Sequence, residues 1–137
     1  MGGRKNLWML EHIEELCNGN GIQLSIKTPA ECAELFGVEG FIGRGLADCT
    51  NRQVWLTETP SKGDIYAIAL HEIGHICDPQ RSYELQQVLY QYYRMGLWVR
   101  EVFDCEHRAW MWARKNALVW TPKMEATALF SVRTYLP

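Results

Sequence analysis

The stretch His71-Glu72-Ile73-Gly74-His75 lies inside residues 64–77, a run that reads as a helix. Positions four apart on a helix share one face, so His71 and His75 can aim both imidazoles at a single point. Zn²⁺ takes neutral imidazole nitrogens at about 2.0–2.1 Å and, in catalytic sites, keeps one position open for water. Glu72 follows the first histidine directly, where its carboxylate can reach that water and act as general base. The flanks suit a buried helix: Ile68, Ala69 and Leu70 come before the histidines, and Ile73, Ile76 and Cys77 surround them. Gly74 costs about 1 kcal/mol in a helix interior relative to Ala. A glycine between two ligands therefore predicts that another backbone comes close there.

This spacing is the His-Glu-x-x-His signature of zinc metallopeptidases. The chain has only 4 histidines, and shuffling its residues would produce the pattern in roughly 1 of 100 sequences. The competing reading is a core helix carrying two solvated or hydrogen-bonded histidines.

Two imidazoles do not hold a catalytic zinc by themselves, and a third ligand on the same helix face is excluded by geometry. Asp78, Glu101, Glu106 and His107 are the downstream candidates. Asp78 follows His75 by three but stands where the helix ends, because Pro79 disfavours helix in the residue before it. Glu106 leads the set. Ala109 and Ala113 share its helix face, and small residues there let the helix pack against Gly74 and bring a short carboxylate to the metal. Glu101 shares its face with Cys105 and Arg108, a more solvated side.

Composition bounds the rest. With 137 residues the chain is long enough for one domain with a real core, and its 47% hydrophobic and 22% charged residues are ordinary for a globular protein. A net charge of −2 gives no electrostatic case for nucleic acid or an anionic membrane. No apolar run approaches the roughly 18–20 residues of a membrane span, and the acidic N-terminal helix is no signal-peptide core. The five cysteines (Cys17, Cys32, Cys49, Cys77, Cys105) are scattered and form no Cys-x-x-Cys pair. They read as reduced, buried thiols in a cytosolic protein rather than as a disulfide framework or a thiolate zinc site. Six Trp and six Tyr predict a core rich in aromatics, with some available to line a substrate groove.

Along the chain, residues 6–17 read as an amphipathic helix closed by Asn18-Gly19-Asn20-Gly21, and residues 22–26 alternate as a half-buried strand. Thr28-Pro29-Ala30-Glu31 is a capping box opening a short helix, and the glycines from Gly37 to Gly45 read as a turn-rich connection. Residues 46–49 and Gln53–Thr57 form a predicted hairpin, with Val54 and Leu56 on one face and Gln53, Trp55 and Thr57 on the other. After the metal helix come predicted helices at 81–95, 97–117 and 123–136, the last started by Thr121-Pro122. The order gives an α+β fold: a helix, a small antiparallel sheet, then a helical C-terminal half.

Leu70-His71-Glu72-Ile73-Gly74-His75, followed about thirty residues later by Glu106-x-x-Ala109-x-x-x-Ala113, resembles the compact gluzincin-type metallopeptidases of the ImmA/IrrE-like group, found in phages, prophages and bacteria. The resemblance runs from residue 46 to residue 117. It implies a minimal zincin-like fold, zinc held by His71, His75 and Glu106, and Glu72 as catalytic base. It also implies an edge strand beside the metal helix. Here that strand is Gln53–Thr57, so Gln53, Val54, Trp55 and Leu56 are the expected substrate-binding residues. The chain departs from the group in having no visible helix-turn-helix and no sensory domain.

The expected reaction is hydrolysis of a peptide bond in a specific protein target, in the cytoplasm. The rivals are a catalytically silent interaction module on the same fold and a zinc-dependent amidase acting on a cell-wall bond. Tyr83, Tyr90, Tyr92, Tyr93, His107 and Arg108 are all candidate oxyanion donors, unranked by spacing.

Overall fold

In a computed structural model of the chain, the residues described are 7–28, 30–31, 34, 45–57, 62–80 and 100–136. The predicted helix at 81–95, the tyrosines within it, Cys32 and most of the glycine-rich connection lie outside them. The described residues form four helices and a three-stranded sheet, an α+β arrangement. In chain order these are α1 (Leu7–Gly19), β1 (Gln23–Lys27), β2 (Gly45–Asp48), β3 (Gln53–Thr57), α2 (Lys62–Ile76), α3 (Arg100–Asn116) and α4 (Pro122–Arg133).

Helix α1 is amphipathic and buries Ile13 and Cys17. It ends as its sequence predicts: Gly21 adopts φ 65°, and the Ile22 N–H returns to the Cys17 carbonyl at 2.8 Å. A left-handed residue after the last turn lets that late amide satisfy a helix carbonyl. The capping box at Thr28 also forms, with the Glu31 amide donating to Thr28 Oγ1 at 3.2 Å and the Thr28 amide to Glu31 Oε1 at 3.2 Å.

The hairpin between β2 and β3 is present, with Asp48 opposite Gln53. Asp48 Oδ1 accepts the Asn51 amide at 3.0 Å, and Arg52 takes the left-handed φ of 51° that closes the turn. The sheet as a whole corrects two expectations. It is mixed rather than antiparallel, because β1 pairs with β3 in parallel. Its order is β1-β3-β2, so Gln53–Thr57 is the central strand and not an edge. Both of its edges are taken by neighbouring strands, and Val54 and Leu56 are 0% and 1% exposed in the core. Gln53, Val54, Trp55 and Leu56 therefore have no free strand edge to offer a substrate. Alternation shows which face of a strand is buried but not which strand lies in the middle. Among the described residues the outer strands are β1 and β2.

Helix α2 crosses this sheet and is apolar nearly all round, as a central helix must be. Tyr66, Ala69, Leu70 and Ile73 are each 1% exposed or less. Tyr66 joins three parts of the fold through its hydroxyl, which lies 2.8 Å from His12 Nδ1 and accepts the Leu118 amide at 3.0 Å. Helix α4 starts as predicted, with Thr121 Oγ1 accepting the Met124 amide at 3.1 Å and Pro122 in the first turn. Arg114 of α3 holds Glu125 of α4 at 2.7 Å, and Trp120 Nε1 donates to the same carboxylate at 2.9 Å. None of the described helices is long and apolar enough to cross a membrane.

Candidate metal centre

The site forms where α2 and α3 touch. Gly74 makes the contact possible. A Cβ at that position would lie 2.6 Å from the Ala109 carbonyl oxygen and 3.1 Å from Ala109 Cα. Real side chains do not pack this closely, so the approach requires glycine on α2, and Ala109 gives α3 a small side chain to match. On α3, Glu106, Ala109, Trp110 and Ala113 follow one helical face, and all four are buried.

That packing brings Glu106 to both histidines. Its Oε2 lies 2.6 Å from His71 Nε2, and its Oε1 lies 3.2 Å from His75 Nε2. The two imidazole rings stand 4.5 Å apart between centroids. Glu106 is 4% exposed, His71 8% and His75 7%. Among the described residues the Glu106 carboxylate pairs with these imidazoles and with no Lys or Arg.

Glu72 is the second carboxylate. Its Oε1 lies 3.0 Å from His71 Nδ1, on the ring edge away from Glu106. One donor atom each from His71, Glu72 and His75 falls within 4.8 Å of the others, so a His-Glu-His group can hold a metal ion. The two acids are thus distinguished by position: Glu106 meets the Nε2 atoms of both rings, whereas Glu72 meets one Nδ1.

The surrounding groups fix the rings. Trp110 stacks on His71 at 4.4 Å and 18°. Cys105 Sγ lies 3.5 Å from His75 Nδ1, on the far side of that ring from Glu106. Imidazole ligands are commonly oriented in this way through their second nitrogen. The Trp110 Nε1 donor is buried without a hydrogen-bond partner among the described residues.

The alternative third ligands are placed elsewhere. Asp78 is bound by Arg108, with the guanidinium Nε 3.0 Å from each carboxylate oxygen and Nη2 2.9 Å from Oδ2. This half-buried fork pins the end of α2 to α3, two residues beyond Glu106, and occupies the Arg108 named above as an oxyanion candidate. Glu101 and His107 are exposed, and His107 stacks on Phe103. Two contributors escaped the sequence reading. Trp110 was legible as the residue four beyond Glu106, hence one turn along the same face. The Asp78–Arg108 pair carried no local signal.

An open cleft of about 570 Å³ leads to His71. His71, Glu72 and Trp110 line it, with Gly45 and Ile68 on one side and residues of α4 on the other. Gly45 opens β2 directly over Glu72, since a Cβ there would sit 2.9 Å from Ile68 Cγ2 and 3.1 Å from Glu72 Cγ.

The donor set suits a divalent cation. Burial pushes the imidazole values of His71 and His75 down. The Glu106 carboxylate beside them more than reverses this, so both stand above the ordinary histidine value, His75 well above. Burial likewise pushes the Glu106 carboxyl up, but the neighbouring His75 and His71 outweigh it and hold it well below the usual carboxylate range. Without metal the site therefore favours protons on its imidazoles more than a free histidine does, and a cation must displace them. Zinc binding is expected to release protons, and its apparent affinity to fall as the pH is lowered. Calorimetry in buffers of different ionisation enthalpy measures this. Binding without proton release would contradict the arrangement.

No protein family, curated protein or solved structure matches the chain.

Proposed function

We propose that this protein is a zinc-dependent peptidase of the compact gluzincin kind, resembling the ImmA/IrrE-like group, which cleaves a peptide bond in a protein target. The observation that carries the reading is the buried Glu106 carboxylate, which lies 2.6 Å from His71 Nε2 and 3.2 Å from His75 Nε2, with His71 also lining an open cleft. Two imidazoles and one carboxylate are a donor set for catalytic zinc. The thiol nearest to them stands behind His75 rather than at the shared point, which favours a site with a free position over a closed structural one.

His71, His75 and Glu106 would hold the ion. Zinc bound there would acidify a water and polarise the scissile carbonyl. Glu72, which lines the cleft, would take the water's proton and return it to the leaving amine. The backbone of the substrate is assigned to the outer strand β2, which begins at Gly45 beside Glu72, by addition of an extended segment to the sheet. The tight fit at Gly45 keeps that strand end against the base.

The test uses the zinc-loaded protein incubated with a proteome extract, with and without a chelator, followed by mapping of new peptide termini. A small set of chelator-sensitive cleavages is expected. An unchanged terminus map, with zinc shown to be bound, would favour a silent interaction module instead. Release of cell-wall fragments in a parallel digestion would favour the amidase.

A further inference from the structure

The cleft wall opposite β2 is built by one helix, α4, and that wall has a chemical character of its own. Lys123, Ala126, Thr127, Phe130 and Ser131 line the cleft that also holds His71 and Glu72. These positions recur every three to four residues, so they form a single stripe on the helix. Another face of α4 carries Met124 and Ala128 into the core, at 6% and 0% exposure. The helix is further pinned by the Arg114–Glu125–Trp120 contacts. Its orientation is therefore set by packing, and the stripe is held toward the cleft.

Phe130 stands out on this stripe. It is 73% exposed, more than any other large apolar side chain among the described residues. Scattered exposed apolar residues are ordinary on protein surfaces, and Leu129, 44% exposed and outside the cleft, is one of them. Phe130 differs because it lines the same cleft as His71 and Glu72. Its apolar surroundings there include Ala126, Ile68 and the buried ring of Trp110. From Lys123 to Ser131 the stripe covers eight residue-to-residue steps, about 12 Å along the helix. That matches roughly three to four residues of an extended peptide.

We propose that α4 is the specificity wall of the site. It takes a large apolar side chain of the substrate, next to the bond that is cleaved, between Phe130 and Ala126 on one side and Ile68 and Trp110 on the other. This rests on the peptidase reading above and narrows its substrate class to segments with Leu- or Phe-like residues at the scissile position. Seating such a side chain removes apolar surface of both partners from water. A glycine in its place leaves Phe130 exposed.

The experiment measures binding of short peptide hydroxamates to the zinc-loaded protein by calorimetry. The probes differ only in the residue beside the chelating group: Gly, Leu, Phe or Glu. The Leu and Phe probes are expected to bind on the order of tenfold or more tighter than the Gly probe. Phe130→Ala is expected to remove most of that gap while leaving the Gly probe unchanged. Leu129→Ala is expected to change nothing. Both side chains are exposed, so neither variant removes a core contact. Equal affinity for all probes, or a gap that survives Phe130→Ala, would overturn the specificity wall and leave the metal centre standing. A preference for the Glu probe would overturn it in favour of selection at Lys123. Failure of every hydroxamate to bind a zinc-loaded protein would overturn the open metal site itself, and this inference with it.

Discussion

Glu72→Gln is expected to lower the rate of peptide hydrolysis by about 100- to 10,000-fold, the usual contribution of a positioned proton carrier. The substitution is close to isosteric. An amide oxygen can still accept a hydrogen bond from His71 Nδ1, which lies 3.0 Å from Glu72 Oε1. What the amide lacks is basicity, so it cannot remove a proton from water. Because Glu106 rather than Glu72 meets both Nε2 atoms, zinc affinity is expected to stay within a few-fold of the parent protein. Rate and metal titration should be measured on the same preparation. An unchanged rate would remove Glu72 from the chemistry. Loss of zinc together with activity would make Glu72 the third ligand, an assignment its place in the His-Glu-His group keeps testable.

The second large effect is expected at Gly74, where two tendencies oppose each other. Gly74→Ala should gain about 1 kcal/mol from helix propensity. The new methyl group, however, would meet the Ala109 carbonyl oxygen at 2.6 Å, its Cα at 3.1 Å and its carbonyl carbon at 3.3 Å. These are main-chain atoms, which cannot rotate away as a side-chain tip can. Overpacking of this kind costs about 1–3 kcal/mol, and a clash with backbone belongs at the upper end. A net loss of about 1–2 kcal/mol is therefore expected. Zinc affinity should also fall by roughly tenfold or more, because Glu106 lies one turn before Ala109 and moves with it. Thermal melts of the metal-free protein and a zinc titration check both parts. Ala109→Gly should not rescue the variant, since the obstruction is not the Ala109 side chain. A higher melting temperature with unaltered zinc binding would show that the helices are not held together at this contact.

The features that were legible in the sequence are those that leave a local mark in it. Gly74 signalled a close approach because glycine is a poor choice inside a helix unless something needs the space. Ala109 and Ala113 signalled the matching face, and Glu106 followed from their spacing. The caps at Thr28 and Thr121 and the turn at Gly21 were legible because each uses residues a few positions apart. The order of the strands was not. Gln53–Thr57 alternates in the same way whether it is an edge or the centre, and its position depends on β1 joining its free side from thirty residues upstream. The Asp78–Arg108 fork was hidden for the same reason, since its partners are 30 positions apart and meet only once α2 and α3 have docked.

The central claim is that two imidazoles and Glu106 converge on one cation with a coordination position left free. X-ray absorption at the zinc edge, on protein loaded to measured stoichiometry, tests it most directly. One zinc per chain is expected, with two imidazole shells, oxygen donors completing the coordination at about 2.0–2.2 Å, and no sulfur. A zinc–sulfur shell near about 2.3 Å, or a protein that takes up no stoichiometric zinc, would contradict it.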